Sequence, residues 1–268
     1  MELLKDVKIG SDPELFIFDP VENKFVCAIG MVGGTKDMPM SMGKDGFFCQ
    51  EDNALVEFNI PPASTRDEFR EAILEGIQRL QGKIPLGTLL KAQASAVFTP
   101  DQLTHPLANQ FGCDPDYNAW TGRKNRVPRS PSDGLRTSGG HIHVGYNLAD
   151  TTISKEDVNE NIIRWMDYYL GVPSILLDQD KKRRTLYGKA GAFRHKPYGV
   201  EYRTLSSFWL AKESTIEWAF DQTQKALNRA DIADFIEDSV GDEIKEIINT
   251  GDEAKAMSFV MRHKLTMP

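Results

Sequence analysis

The chain has 268 residues, 40% hydrophobic and 26% charged, a composition that supports an ordinary folded core. Its 39 acidic and 32 basic residues leave a net charge of −7, which argues against wide contact with a phosphate backbone and leaves nucleic acid only as a modified-base substrate. No apolar run approaches the roughly 20 residues of a membrane span, and the start lacks a secretory apolar stretch. Cys27, Cys49 and Cys113 are too scattered for a disulfide framework or zinc ribbon, so a single cytoplasmic domain with reduced thiols is expected.

Short β-like runs alternate with turn residues through the first ninety positions, at 14–18, 25–30, 46–50 and 54–60. Residues 31–45 (MVGGTKDMPMSMGKD) have no period and predict a loop of the kind that covers a site. Ser64 or Thr65 is expected to cap a helix to about residue 81, with Asp67 and Glu68 in its first turn and Phe69, Ile73, Ile77 and Leu80 on its packed face. KAQASAVF (91–98) predicts another strand. The stretch 100–138, with five prolines, predicts a long ordered loop. Its Arg123, Lys124, Arg126, Arg129 and Arg136 are a solvated face or an anion contact.

GGHIHVGYNL (139–148) predicts a strand, and Ser154 with Asp157 predicts a capped helix to about residue 170, followed by a second over 172–181. GVEYRTLSSFW (199–209) is strand-like, and the remainder reads as two or three amphipathic helices, including 213–229 and 241–249. Strands early, helices late and no βαβ rhythm point to α+β with a mainly antiparallel sheet.

Four segments carry residue types suited to chemistry. In GSDPELFIF, Asp12 and Glu14 stand two apart, so on one strand they share a face, as metal ligands or as a solvated pair. Glu57 sits between Val56 and Phe58 in an apolar strand, where its carboxylate needs a cation or a donor unless that face is wet. His141 and His143 in GGHIHVG share a strand face beside paired glycines. They suit a metal site, zinc and iron included, or form a hydrogen-bonded pair. Around GVEYRT, Arg183, Arg184, Lys189, Arg194 and Arg203 outline a phosphate clamp, with a Glu201–Arg203 ion pair as the plainer alternative. No GxxxxGK[ST] or GxGxxG is present.

Together these segments resemble the glutamine synthetase and glutamate-cysteine ligase superfamily of carboxylate-amine ligases, most closely its short phage-encoded branch, over residues 8–62 and 138–209. The resemblance implies a glutamine synthetase-like catalytic domain, a curved antiparallel sheet with helices on its outer face. It also implies ATP and Mg²⁺ or Mn²⁺ as cofactors, with Asp12, Glu14, Glu57, His141 and Glu201 as metal ligands. His143, Arg184, Lys189 and Arg194 are then expected at the nucleotide, and Arg203, Arg194 and Glu57 in catalysis. The implied reaction joins a small-molecule or peptide carboxylate to an amine through an acyl phosphate. Two departures are an aspartate at Asp12, where glutamate-cysteine ligases have glutamate, and a chain much shorter than glutamine synthetase. The rival readings are a metal-dependent hydrolase built on the HxH pair and a non-catalytic virion-associated binding protein.

Overall fold

The computed structural model describes residues 3–109, 116–126, 128, 134–149 and 152–268. In chain order β1 (Leu4–Ser11), β2 (Glu14–Asp19), β3 (Lys24–Val26), β4 (Met40–Ser41), β5 (Phe48–Asp52) and β6 (Leu55–Asn59) lead to helix α1 (Arg66–Gln81). There follow β7 (Leu89–Lys91), β8 (Ser95–Val97), β9 (Tyr117–Asn118), β10 (Arg123–Lys124), β11 (Leu135–Thr137) and β12 (Ile142–Leu148). After these come α2 (Lys155–Met166), α3 (Val172–Leu177) and α4 (Lys181–Leu186), then the hairpin β13 (Ala192–Lys196) and β14 (Gly199–Tyr202). Helices α5 (Glu213–Asp231), α6 (Asp238–Thr250) and α7 (Glu253–Arg262) complete the chain.

Two larger sheets form, with strand orders β1-β12-β14-β13-β9-β10 and β3-β2-β6-β5-β4, the latter carrying β7 on β2. Every pairing in them is antiparallel. The α+β class with antiparallel sheets is thus what the fold has. The chain crosses from one sheet to the other between Ser11 and Glu14, so Asp12 and Glu14 do not lie on one continuous strand as expected. Pro13 supplies no N–H to continue a ladder. The crossing is clasped by backbone bonds from Ile60 N to Ser11 O (3.3 Å), Phe58 N to Pro13 O (3.2 Å) and Glu14 N to Gly139 O (2.9 Å).

The helices cover one face of the first sheet. Ile142, Val144, Phe193, Val200 and Tyr202 are buried in one cluster with Ile162, Trp165 and Met166 of α2 and Ile216 and Phe220 of α5. All of β14 is buried, and alternation turns Glu201 away from this apolar layer, toward the opposite face. Helix α1 is capped as its sequence predicts: Thr65 accepts from Glu68 N, and the Glu68 carboxylate accepts from Thr65 N. Its Gly76 lets it lie close on the second sheet, since a Cβ there would be 2.5 Å from the Phe58 ring.

Ser154 accepts from Asp157 N at 3.2 Å to start α2, which continues through a π turn at Asp167–Gly171 into α3. The turn points Asp167 inward, where it accepts from Trp120 Nε1 (2.7 Å), Gly191 N (2.5 Å), Tyr202 Oη (2.9 Å) and Thr204 Oγ1 (3.2 Å). The helix expected over 172–181 stops at Leu177, because Asp178 is extended and Asp180 caps a separate α4. The strand expected over 199–209 ends at Tyr202 and gives way to a 3₁₀ turn at Ser207–Ala211. The expected loop 100–138 holds 3₁₀ turns at Pro100–Leu103 and Pro106–Asn109 together with β9, β10 and β11. Two-residue strands are too short to show a period, so only their pairing reveals them. Arg129 and Cys113 lie outside the described residues, and no described helix is long and apolar enough to cross a membrane.

Candidate metal and phosphate site

Strand register builds the site. Across the first sheet Gly10, His143, Glu201 and Arg194 stand in one row, so their side chains share the face opposite the helices. Across the second sheet Glu14, Glu57 and Gln50 form another row, with Asp52 two residues beyond Gln50 on the same face. The sheet crossing at Asp12 and Pro13 brings these rows together. Asp12, His143 and Glu201 offer ligand atoms within 4.8 Å of one another, and so do Glu14, Asp52 and Glu57.

The first trio is charge-compensated. Asp12 Oδ1 lies 2.9 Å from His143 Nε2 and 3.4 Å from His141 Nδ1. Glu201, wholly buried, meets Lys196 Nζ at 2.6 Å and the Arg203 guanidinium, with Arg194 at 3.9 Å. Arg203 in turn reaches His141 Nδ1 at 3.2 Å and Asp116 Oδ1 at 2.7 Å. Burial pushes the Asp12 carboxyl up, but His143 and His141 outweigh it and hold it well below its usual range. In Glu201, burial and Asp12 are likewise outweighed by Arg203 and the two imidazoles, which bring it to about 2. The rings part company: burial and Arg203 lower His141, whereas Asp12 overcomes burial at His143 and raises it.

In the second trio the compensation is weaker: Arg203 and Arg183 act on Glu14, and Arg203 and Lys36 on Asp52, but burial outweighs them. Glu14 accepts from Gly139 N at 2.6 Å, and Glu57 from Gln50 Nε2 at 2.9 Å. Burial and Asp52 raise Glu14 to about 8, burial raises Asp52, and burial with Asp12, Asp52 and Glu14 raises Glu57 well above the carboxylate range. Three carboxyls this close together, Glu14 buried and Asp52 and Glu57 partly so, with neutral donors as direct hydrogen-bond partners, are favoured when protonated or around a cation. Their all-oxygen donor set suits Mg²⁺ or Mn²⁺, and the mixed Asp12–His143–Glu201 set suits Mn²⁺ or Mg²⁺ with one imidazole. The residues present therefore fit the divalent cations that the resemblance implies.

Of the residues singled out in the sequence, Asp12, Glu14, Glu57, His141, His143, Glu201, Arg194 and Arg203 converge here. His143, expected at the nucleotide, groups with the acids as a ligand atom, while His141 Nδ1 faces Arg203. Arg184 and Lys189 do not converge. Arg184 is buried against the carbonyls of Asp178 (3.2 Å) and Asp180 (3.3 Å), and Lys189 reaches Asn249 O at the end of α6. Arg183 donates to Thr204 O (2.8 Å) and Arg203 O (3.3 Å), bracing the site from behind. In the basic stretch, Arg136 is buried on Ala108 O, while Arg123 and Lys124 are exposed on β10.

Asp52, Asp116, Lys196 and Tyr198 were not legible as site residues. Asp52 ends β5 at the tight turn through Asn53, whose φ is +55°. Tyr198 at the β13–β14 tip bonds His143 Nδ1 at 2.6 Å and stacks on its ring. The GlyGly-containing loop 31–45 is pinned beside Asp52 by Glu51, which accepts from Gly30 N (2.9 Å), Val32 N (3.1 Å) and Gly33 N (2.8 Å). Alternating Glu-Asp at 51–52 was the available signal: one carboxylate for the loop, one for the site.

Comparison with known proteins adds a partial family match. Residues 130–231, under half of the chain, match the family described as Phage phiEco32-like COOH.NH2 ligase-type 2. That segment carries His141, His143, Arg194, Glu201 and Arg203, and leaves Asp12, Glu14, Asp52 and Glu57 outside it. No curated protein matches the chain. Among solved structures, a bifunctional glutathione synthetase from Pasteurella multocida aligns at 12% identity and a TM-score of 0.42, over 95% of this chain and 46% of its own, a likeness too loose to bear on fold or activity. The firm result of comparison is therefore the carboxylate-amine ligase family match over β11 to α5.

Proposed function

We propose that the chain is an ATP- and Mg²⁺-dependent carboxylate-amine ligase whose two sheets form one glutamine synthetase-like catalytic domain. The observation that carries this reading is the pair of abutting ligand trios, one of three carboxyls, the other flanked by Arg194, Lys196 and Arg203. Clustered acids suit divalent metals, and guanidinium groups beside them suit phosphoryl oxygens.

Glu14, Asp52 and Glu57, and Asp12, His143 and Glu201, would hold divalent ions, which would supply charge neutralisation for the polyphosphate. Attack of the substrate carboxylate oxygen on the γ-phosphorus forms an acyl C–O–P linkage and releases ADP. The amine then attacks the acyl carbon, a C–N bond forms, inorganic phosphate leaves, and the ammonium-derived proton passes to solvent or to a carboxylate of the site. Arg203, fixed on Asp116 and Glu201, and Arg194 beside them are placed to orient the transferring group.

A metal-dependent hydrolase would turn over without nucleotide, which separates the two readings. Screening amino acids, peptides and polyamines with Mg·ATP for ADP release should give a carboxylate- and amine-dependent signal, cut at least about 100-fold by Glu57→Gln. Turnover that ignores ATP, or full activity in Glu57→Gln, contradicts the proposal.

A further inference from the structure

We propose that Asp116 is an internal stand-in for the transferring phosphoryl group: its carboxylate holds the edge of Arg203 that a phosphoryl oxygen takes over, and yields that edge on binding. The inference deepens the ligase reading above and rests on it.

Register brings Asp116 to this place. Ala192 faces Asn118 and Phe193 faces Tyr117 across β13 and β9, so Arg194 and Asp116 are the next facing pair. The row of Gly10, His143, Glu201 and Arg194 thereby extends one strand further out. Asn125 N donates to Asp116 O at 2.7 Å and closes the base of the β9–β10 hairpin there. The Asp116 side chain is 16% exposed, and its Oδ1 lies 2.7 Å from Arg203 Nε and 3.7 Å from Arg194 Nε. One carboxylate oxygen thus faces two guanidinium groups beside a ligand trio.

The loading of Arg203 separates lasting contacts from exchangeable ones. A guanidinium grips an oxyanion at two points, along Nε and Nη2 or along Nη1 and Nη2. Nη1 is committed to Glu201 and to His141 Nδ1, the latter at 3.2 Å. Glu201 is wholly buried and belongs to the ligand trio, so that end of the guanidinium stays engaged. A phosphoryl group that takes two donors from Arg203 must therefore use Nε, where Asp116 stands. Asp116 is held there by charge: among the described residues its buried Oδ1 makes ion pairs but no hydrogen bond. A buried ion pair adds little net stability, whereas a phosphoryl group brings more charge and more acceptor oxygens to the same place. Arg194 stands 3.7 Å from Asp116 and 3.9 Å from Glu201, a gap that the larger group closes. The displaced carboxylate has Arg123 as its next cation. That residue is exposed on β10, lies two positions from Asn125 and so on the same face, and forms no ion pair among the described residues.

The test is titration calorimetry of the magnesium complex of tripolyphosphate on the full chain, with a crystal structure of the wild-type complex. Asp116→Asn should bind the complex at least about tenfold more tightly than wild type does. Removing any nearby negative charge helps an anion, so the wild-type complex decides the mechanism: a phosphoryl oxygen should stand at Arg203 Nε, with the Asp116 carboxylate turned away. That structure also decides the matter if Asp116→Asn does not fold. Equal or weaker binding by a folded Asp116→Asn, or a bound complex in which Asp116 still holds Arg203 Nε, would overturn the proposal and leave the ligase reading intact. Absence of binding by both proteins would overturn the two together. Displacement of Asp116 with no ADP formed from any carboxylate and amine leaves the exchange standing and removes the ligase reading.

Discussion

His143 is held from two sides. Its Nε2 faces Asp12 at 2.9 Å and its Nδ1 meets the Tyr198 hydroxyl at 2.6 Å. An imidazole that gives Nε2 to a metal must carry its proton on Nδ1, so with a metal bound the Tyr198 oxygen would accept that proton's hydrogen bond. Tyr198 is in this sense a positioning residue for the Asp12–His143–Glu201 trio. Removing its hydroxyl leaves the ring stack and frees the imidazole to change tautomer. Tyr198→Phe should weaken Mn²⁺ binding about 10-fold, within the usual range for outer partners of metal ligands, with little change in unfolding temperature. Titration calorimetry with Mn²⁺ measures it, and unchanged affinity would show that Tyr198 only packs.

At the scale of elements, the β13–β14 hairpin is the part on which most depends. It delivers Arg194, Lys196, Tyr198 and Glu201 within a few residues, and its register against β12 sets all four. Gly199 fixes that register because it sits opposite Gly145 with Val144 O against its Cα, where a Cβ would lie only 2.1 Å from that oxygen. Gly199→Ala should therefore cost about 2–4 kcal/mol, the range of a forced backbone displacement in a packed core, and should lower Mn²⁺ affinity as well. Gly145→Ala, one strand away, should cost nothing. Chemical denaturation of the two variants side by side tests the contrast, and similar stabilities would mean that the hairpin yields easily. Asp167 supports the same hairpin from the π turn: burial raises its carboxyl to about 6, yet four donors converge on it.

For the whole molecule, the Glu14–Asp52–Glu57 trio links stability to pH and metal. Glu14, lifted from about 4.5 to about 8, binds its proton more tightly in the folded chain than in the unfolded one, and Glu57 and Asp52 shift the same way. A raised carboxyl favours the fold below its unfolded pKa, and that contribution is lost as pH climbs through the folded value. Metal-free protein should lose stability between about pH 4.5 and 8, the window set by Glu14. Mn²⁺ should reverse the loss most strongly at the upper end, by about 2.7 kcal/mol at a hundredfold excess over its dissociation constant. Thermal unfolding across pH with EDTA or Mn²⁺ checks both limbs, and a metal effect that shrinks as pH rises would contradict them.

Much of this was legible in the sequence and some was not, for reasons that differ by residue. His141 and His143 were legible because i, i+2 spacing puts two side chains on one face whatever the partner strand, and Thr65 and Ser154 because a cap is satisfied within its own few residues. The antiparallel α+β class followed from the order of strand-like and helical stretches, which is also a local property. Asp52, Asp116, Lys196 and Tyr198 join the site only through pairing register and the crossing at Pro13, and register is decided by non-local hydrogen bonds that no stretch of sequence contains. The same cause separated Arg184 and Lys189 from the cluster: their charges read like the others, but burial on the carbonyls of Asp178 and Asp180 and the reach to Asn249 are facts of packing. The sequence by itself therefore determined which chemical groups the chain has and which of them share a strand face. Only the tertiary structure decided that two sheets meet at Asp12, and that direct ion pairs hold one trio's acids ionised while burial raises the carboxyls of the other, because both depend on contacts between strands far apart in sequence.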